Sequence, residues 1–462
     1  MERKVSKKLY LSILATGLMA FCGIVIETAM NVTFPTLMDQ FNVTTGTIQW
    51  LTTGYLLIVS VIIPLSGFLK RRFTLKSLFL AASTLFIIGL IICSFANNFS
   101  LLLAGRLIQG MGTGIALPLM FNIILEQAPL QKIGFLMGIG TLVTAVAPAL
   151  GPTYGGLLVA VNWHLIFILL LIVMVFALFI GVYAITQVTE TEKIKLDIIS
   201  WISVALFFAG AILAFNSIES SITNAVIFGV IAILGLIAFT WKSNHSTSPL
   251  VNLSIFKVPS FSLLLFGFII FQMLIVGSAF VLPNYLQIVN QVNSAAAGLL
   301  LLPGAALGAV LAPISGKLYD NLGPRKPINI GLGFQVVALF LLFITAMTAP
   351  AWLIMVGYIL FMLGTGFAMG NIMTSGLSQV TKELTPDGNA AFNTLQQFAG
   401  ALGTAIASLV LALSQDKSDY LHSTAVGAQH DFLMLFIMLI VAIISINMGL
   451  SKLRDFSEKI DG

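Results

Sequence analysis

Residues 9–32 read LYLSILATGLMAFCGIVIETAMNV. A helix of about 20 apolar residues spans the hydrocarbon core of a bilayer, so this stretch is long enough to cross one. One acid, Glu27, sits inside it. A charge at membrane depth costs about 3 kcal/mol on insertion scales, and such a residue faces a cavity, a partner or a substrate by default. The basic start (Arg3, Lys4, Lys7, Lys8) followed by an apolar run has the outline of a signal peptide. The run is too long for one, holds a Glu and lacks a clear small-residue cleavage site, so it is expected to be a retained first span.

The rest of the chain repeats that apolar length. Of 462 residues, 58% are hydrophobic and only 8% charged, against about 25% charged in soluble domains. An all-α integral membrane protein is therefore expected, bound to a lipid bilayer. Fourteen spans are predicted, near 9–32, 48–69, 77–95, 101–124, 134–158, 164–186, 198–216, 223–241, 262–286, 297–316, 328–347, 351–375, 389–413 and 432–451. Basic residues crowd the loops on the side of the N-terminus, from Lys70, Arg71, Arg72 and Lys76 to Lys452, Arg454 and Lys459. Cytoplasmic loops collect Lys and Arg, so both termini are expected in the cytoplasm, under the cell membrane. The same asymmetry accounts for the net charge of +5 and argues against a nucleic-acid groove. No GxxxxGK[ST] phosphate loop is present, so active transport would draw on an ion gradient or a partner.

Two cytoplasmic loops resemble each other. One runs from Gly67 through Arg71 to Lys76; the other runs from Gly316 through Asp320 to Arg325 and Lys326. Both open with Gly-x-Leu and lie eight spans apart. This predicts a six-helix half at 1–187, two inserted helices at 188–261 and a second six-helix half at 262–462. Paired halves of this kind hold a substrate site between them at mid-membrane.

Several residues are candidates for chemistry. Asn31 lies one turn after Glu27 and Gly23 one turn before it. Two readings of Glu27 stand: a protonated acid tied into helix packing, or a proton carrier and counter-charge for a cation. Arg106 is the other deep charge, at a depth comparable to that of Glu27, with Gln109 on the same face. It either snorkels to headgroups or responds to the protonation of a nearby acid. In span five, Pro148, Gly151, Pro152, Gly155 and Gly156 interrupt a regular helix, which is tolerated in a membrane only where neighbours cover it. The second half shows no charge deep in a predicted span. It carries polar groups instead, among them Asn284, Gln287, Asn393 and Gln396. With Asn31 and Gln109 these are expected to line a substrate cavity; the other reading of the second-half groups is hydrogen bonding between helices. The two cysteines and four histidines have no ligand spacing, so neither metal nor cofactor is expected.

These motifs together resemble the major facilitator superfamily, and within it the fourteen-span drug:proton antiporters. The segment from Glu27 to Pro35 looks like the family's first-span motif, with Glu27 where Asp is usual. Leu102 to Gly112 looks like the span-four motif, and Ala147 to Gly156 like the span-five antiporter motif. Asn162 to Phe167 is similar to a Trp-Arg-x-x-Phe segment, with His164 in place of the Arg. Gly298, Pro303 and Gly304 match the tenth span, and Asn393, Gln396, Gln397, Gly400 and Gly403 the thirteenth. The chain departs from the loop motif at Arg71, where Asp is usual; Asp320 keeps it in the second copy. The resemblance implies proton-coupled efflux of lipophilic or cationic drugs by a monomer, with Glu27 and Arg106 coupling protons and the proton gradient supplying energy. A dedicated exporter of one metabolite or lipid, and a non-transporting membrane scaffold, are the other classes open at this point.

Overall fold

A computed structural model describes residues 6–129, 136, 147, 150–187, 191, 196–218, 221–246, 250–381 and 384–453. Among the described residues there is helix, turn and coil but no strand. That is what a bilayer demands of a chain this apolar, because a helix satisfies its own backbone polar groups where no water can.

Among the described residues, thirteen helices are long and apolar enough to cross a membrane. They begin with α1 (Lys7–Phe41), α2 (Thr45–Arg72), α3 (Leu75–Ser94) and α4 (Phe99–Gln127). The predicted fifth span falls largely outside the described residues. Its described end, at 150–159, is helical and is labelled α5. Then follow α6 (His164–Ala184), α7 (Ile198–Ser217), α8 (Ile222–His245), α9 (Pro259–Ile288) and α10 (Ser294–Leu322). The last four are α11 (Arg325–Thr345), α12 (Ala351–Leu377), α13 (Thr385–Ser414) and α14 (Tyr420–Ser451). Local chemistry marks the ends. The Ser6 hydroxyl accepts the Leu9 amide at 3.1 Å to start α1, an N-cap. Asn42, at φ 51°, closes the same helix in the left-handed conformation, which Asn adopts more readily than most residues.

The helices sort into two bundles. In the first, α1 packs on α4 and α6, α3 on α4 and α6, and α2 on α4. In the second, α9 packs on α13 and α14, α12 on α10 and α11, and α11 on α14. Between them in sequence, α7 and α8 pair with each other, and α7 also leans on α2 and α13. The apolar stretch of α8 is 11% buried against 67% for α1, so α8 faces the membrane.

Side-chain contacts place both described chain ends on one face. Lys8 at the start of α1 sits over Tyr183 at the end of α6. Ser445 near the end of α14 donates to the Leu263 carbonyl near the start of α9 at 2.8 Å. At the opposite face the halves are tied together. Gln287 donates to the Val32 carbonyl at 2.9 Å, and Thr45 to Gln415 at 2.8 Å. Ser408 donates to the Thr45 carbonyl at 3.3 Å, and Thr153 to that of Gly298 at 3.2 Å.

Small residues let the backbones meet within each half, as in membrane helix pairs generally. A Cβ on Gly89 would lie 2.6 Å from the Gly105 carbonyl oxygen across the α3–α4 crossing. A Cβ on Gly331 would lie 2.6 Å from the Gly364 carbonyl oxygen across the α11–α12 crossing. The glycine crossing thus recurs in both halves. Two residues along α11, Gly333 has nothing within 4 Å. Gly331→Ala is therefore expected to cost about 1–3 kcal/mol through overpacking. Gly333→Ala should be neutral or mildly stabilising, because Ala favours helix over Gly by about 1 kcal/mol. Thermal unfolding of the purified variants in detergent checks the contrast.

Candidate functional site

The site is built on α1, α2 and α4. Arg106, on α4, is fully buried. Its Nε donates to the Leu51 carbonyl at 3.1 Å and its Nη1 to Gln109 Oε1 at 2.8 Å. The guanidinium carbon lies 4.1 Å from the centre of the Tyr55 ring, a cation–π contact strengthened by exclusion of water. Nη2 is buried with no partner. These bonds point inward, so Arg106 does not snorkel to headgroups. That alternative fails because α2 supplies a carbonyl and a ring within reach of the buried guanidinium.

Tyr55 joins the three helices. Its hydroxyl lies 2.8 Å from the Gly23 carbonyl of α1 and 2.8 Å from Thr113 Oγ1 of α4. A Cβ on Gly23 would come within 3.2 Å of that hydroxyl, so only a residue without a side chain lets the phenol reach the α1 backbone. Glu27 lies one turn further along α1. It is partly buried, and among the described residues it has no hydrogen bond and no ion pair; Arg106 is not within ion-pairing distance. Glu27 and Arg106 are thus linked through the α1 backbone and Tyr55 without touching. Tyr55 was missed from the sequence. The available signal was a lone polar aromatic in an apolar α2.

The residues expected to line a cavity are distributed differently from one another. Asn31 is buried and accepts from the Thr52 hydroxyl at 3.0 Å. Gln109 is buried between Arg106 and the Cys93 sulfur, 3.7 Å away. Asn284 is buried and donates to the Phe280 carbonyl at 2.7 Å, and Gln287 forms the tie to Val32 described above. Asn393 bonds back to Asn389 along its own helix. Gln396 is partly exposed and makes no hydrogen bond with a described residue.

The motif residues also have definite places. Gly151 and Gly155 of α5 abut α1 at Thr28 and Ala29; Gly156 and Pro152 abut α10 at Ser294 and Gly298. The described part of the span-five motif therefore lies where the halves meet, while Pro148 lies outside the described residues. His164 stacks on Trp163 with ring centres 3.6 Å apart, and its Nε2 is 3.1 Å from the Ala96 carbonyl. In the first loop, Gly67 and Arg71 belong to the end of α2, where Lys70 pairs with Glu126 of α4 at 3.0 Å. In the second, Gly316 has open space beside it, Asp320 is exposed, and Arg325 donates to the Leu450 carbonyl at 3.3 Å.

One expectation is corrected. The second half does hold a deep acid: Asp431 is fully buried in α14. The predicted span began at 432 because residues 420–431 (YLHSTAVGAQHD) are too polar to score as membrane. Packing against neighbouring helices makes them the first three turns of α14.

The Arg106 node generates a stability test. Gln109→Leu removes the acceptor of one guanidinium N–H and leaves a second buried donor unpaired. A loss of about 1–3 kcal/mol is expected, read as a lower unfolding temperature in detergent. Gln396→Leu, at a position with no such partner, should leave the unfolding temperature near that of the parent.

The comparisons with known proteins agree with this architecture. The sequence profile described as Major Facilitator Superfamily matches residues 16–404. The chain is 37% identical over 451 residues to the "Lincomycin resistance protein LmrB" of Bacillus subtilis (strain 168), covering 94% of each chain. It is 38% identical over 411 residues to a protein of the same name from Listeria monocytogenes, covering 87% of each. Among solved structures, it is similar in fold to a bacterial homolog of the human lysosomal transporter Spinster in an inward-facing conformation. The TM-score there is 0.70 at 13% identity, over 98% of this chain and 100% of that one. A POT family transporter in complex with a thioalcohol-conjugated peptide gives a TM-score of 0.72 at 14% identity, over 96% of each. The paired bundles, their glycine crossings and these matches converge: the chain belongs to the Major Facilitator Superfamily, a family of membrane transporters.

Proposed function

We propose that the protein exports lipophilic or cationic drugs, lincomycin among them, in exchange for protons by alternating access. The observation that carries the reading is Glu27: a partly buried, unpaired carboxyl on a membrane helix, one turn from the Tyr55–Arg106 node. Burial away from water disfavours the charged form of a carboxyl, so such a group gains by holding a proton or a cationic ligand. Arg106 supplies the opposing influence. Its positive charge favours the ionised acid, and one of its N–H groups is without a partner. A proton and a cationic drug then compete for Glu27, which makes the exchange obligatory. The lincomycin assignment draws support from relatives at 37–38% identity that carry that drug in their names.

The ties between the halves lie at the face opposite the chain ends, which supports a conformation closed on that face. With both termini in the cytoplasm of a cell-membrane protein, the tied face would be the outer one, and drug would enter from the opposite, cytoplasmic side. Opening then breaks four neutral hydrogen bonds, each worth about 1 kcal/mol net, and parts apolar contacts such as Phe34 on Phe280.

The test uses everted membrane vesicles with an imposed gradient, acid inside. The parent should accumulate lincomycin and ethidium above protein-free vesicles. Glu27→Gln should lose this gradient-driven accumulation yet still exchange labelled for unlabelled drug, which needs no net proton movement. Gradient-driven accumulation at the parental rate in Glu27→Gln would overturn the assignment of Glu27.

A further inference from the structure

Asp431 has no place in the mechanism above, and its surroundings are unusual. The carboxyl is fully buried, and neither Oδ1 nor Oδ2 has a hydrogen-bond partner among the described residues. It lies eleven residues into a helix of 32, about 16 Å from that end at 1.5 Å per residue.

Its neighbours on α14 define what covers it. One turn before, Gly427 abuts Leu411 and Ser414 of α13; one turn after, Leu435 abuts Gly277 of α9. Positions 427, 431 and 435 share a helical face, so Asp431 is turned to the seam between α9 and α13. Helix α11 also packs on α14, where Gln429 donates to the Phe343 carbonyl at 3.3 Å. None of these helices brings a counter-charge. On α9 the sole titratable group is Tyr285, whose hydroxyl donates to the Ala346 carbonyl at 2.6 Å. On α13 it is Asp387, in the first turn, at the face of the chain ends. On α11 there are Arg325 and Lys326, also at that face. On α14 itself, His430 turns to Ser414 Oγ at 3.2 Å, and Tyr420 and His422 lie in the first turn.

An ionised carboxylate in such a place lacks both a cation and a donor, at a cost of several kcal/mol. A neutral carboxyl avoids the unpaired charge, and because no hydrogen bond holds it, the packing leaves it free to change partners. The geometry therefore fits a group that holds a proton in this conformation and changes its surroundings in another. The covering helices are the ones that must move. Gln287 of α9 and Ser408 and Gln415 of α13 make the ties to the first half. Parting those ties moves both walls of the seam.

We propose that Asp431 is a second proton-binding site, in the second half, which releases its proton when α9 and α13 separate from the first half. The inference rests on the proton-coupled reading and adds one proton to each transport cycle. No covalent step is involved; the carboxyl O–H breaks on release and re-forms on loading.

The test is the proton-to-drug ratio of the full chain in sodium-free proteoliposomes. It is obtained from the pH gradient that just balances an imposed lincomycin gradient at clamped membrane potential. Asp431→Asn should lower the ratio by one relative to the parent, and Asp431→Glu should keep the parental value. Should Asp431→Asn abolish gradient-driven export, drug counterflow decides. Retained counterflow supports a coupling role, whereas loss of counterflow in both variants marks a structural residue and overturns the proposal. An unchanged ratio in Asp431→Asn overturns it too, while leaving Glu27 as the coupling acid. A parent that ignores the pH gradient removes the proton-coupled reading itself, and this proposal with it.

Discussion

A buried guanidinium organises the first half. Arg106 cannot shed its proton and cannot reach water, so the protein must bring it acceptors. It does so with the Leu51 carbonyl, the Gln109 amide and the face of Tyr55. Leu51 and Tyr55 tie α2 to α4, while Gln109 orients the guanidinium from within α4. The same Tyr55 hydroxyl reaches α1 at Gly23. Three helices are thereby held in register one turn from Glu27. A hydrogen bond to a buried charge is worth about 1.5–3 kcal/mol, more than the neutral bonds elsewhere in the bundle. The node is thus a firm support beside an acid that makes no bond of its own.

The contrast between that node and the contacts between the halves has a mechanical sense. At the α3–α4 and α11–α12 crossings, backbones meet over glycine and cannot shift without collision. Between the halves, neutral hydrogen bonds lie at one face, together with the small residues of α5 against α10 and apolar packing such as Phe34 on Phe280. Parting the halves at that face is how repeat-built transporters alternate access. The Lys70–Glu126 pair adds a polar tie between α2 and α4 on the other face. It stands next to Arg71, the position at which the chain departs from the loop motif.

Much of this was legible in the chain. Helical spans were readable because lipid allows no other use for so many apolar residues, and thirteen of the fourteen expected spans are found among the described residues. Glu27 and Arg106 stood out because a charge inside an apolar run is costly. Their relation did not. Whether two charges at similar depth meet depends on how α1 and α4 are rotated, and here Tyr55 of α2 fills the space between. Asp431 was hidden for a different reason. Hydropathy locates the apolar part of a helix, while the ends of α14 are decided by what packs around its polar first turns.

By itself, then, the sequence determined the class of protein, thirteen crossings found among the described residues and the residues whose burial needs an explanation. These follow from composition and spacing, which the bilayer reads one residue at a time. Only the tertiary structure decided which buried polar groups satisfy one another. Gln109 and Asn31 are bound within the first half, Gln287 ties the halves together, and Asp431 is left without a partner. A hydrogen bond depends on distance and direction between residues far apart in the chain, and that geometry exists only once the helices have packed.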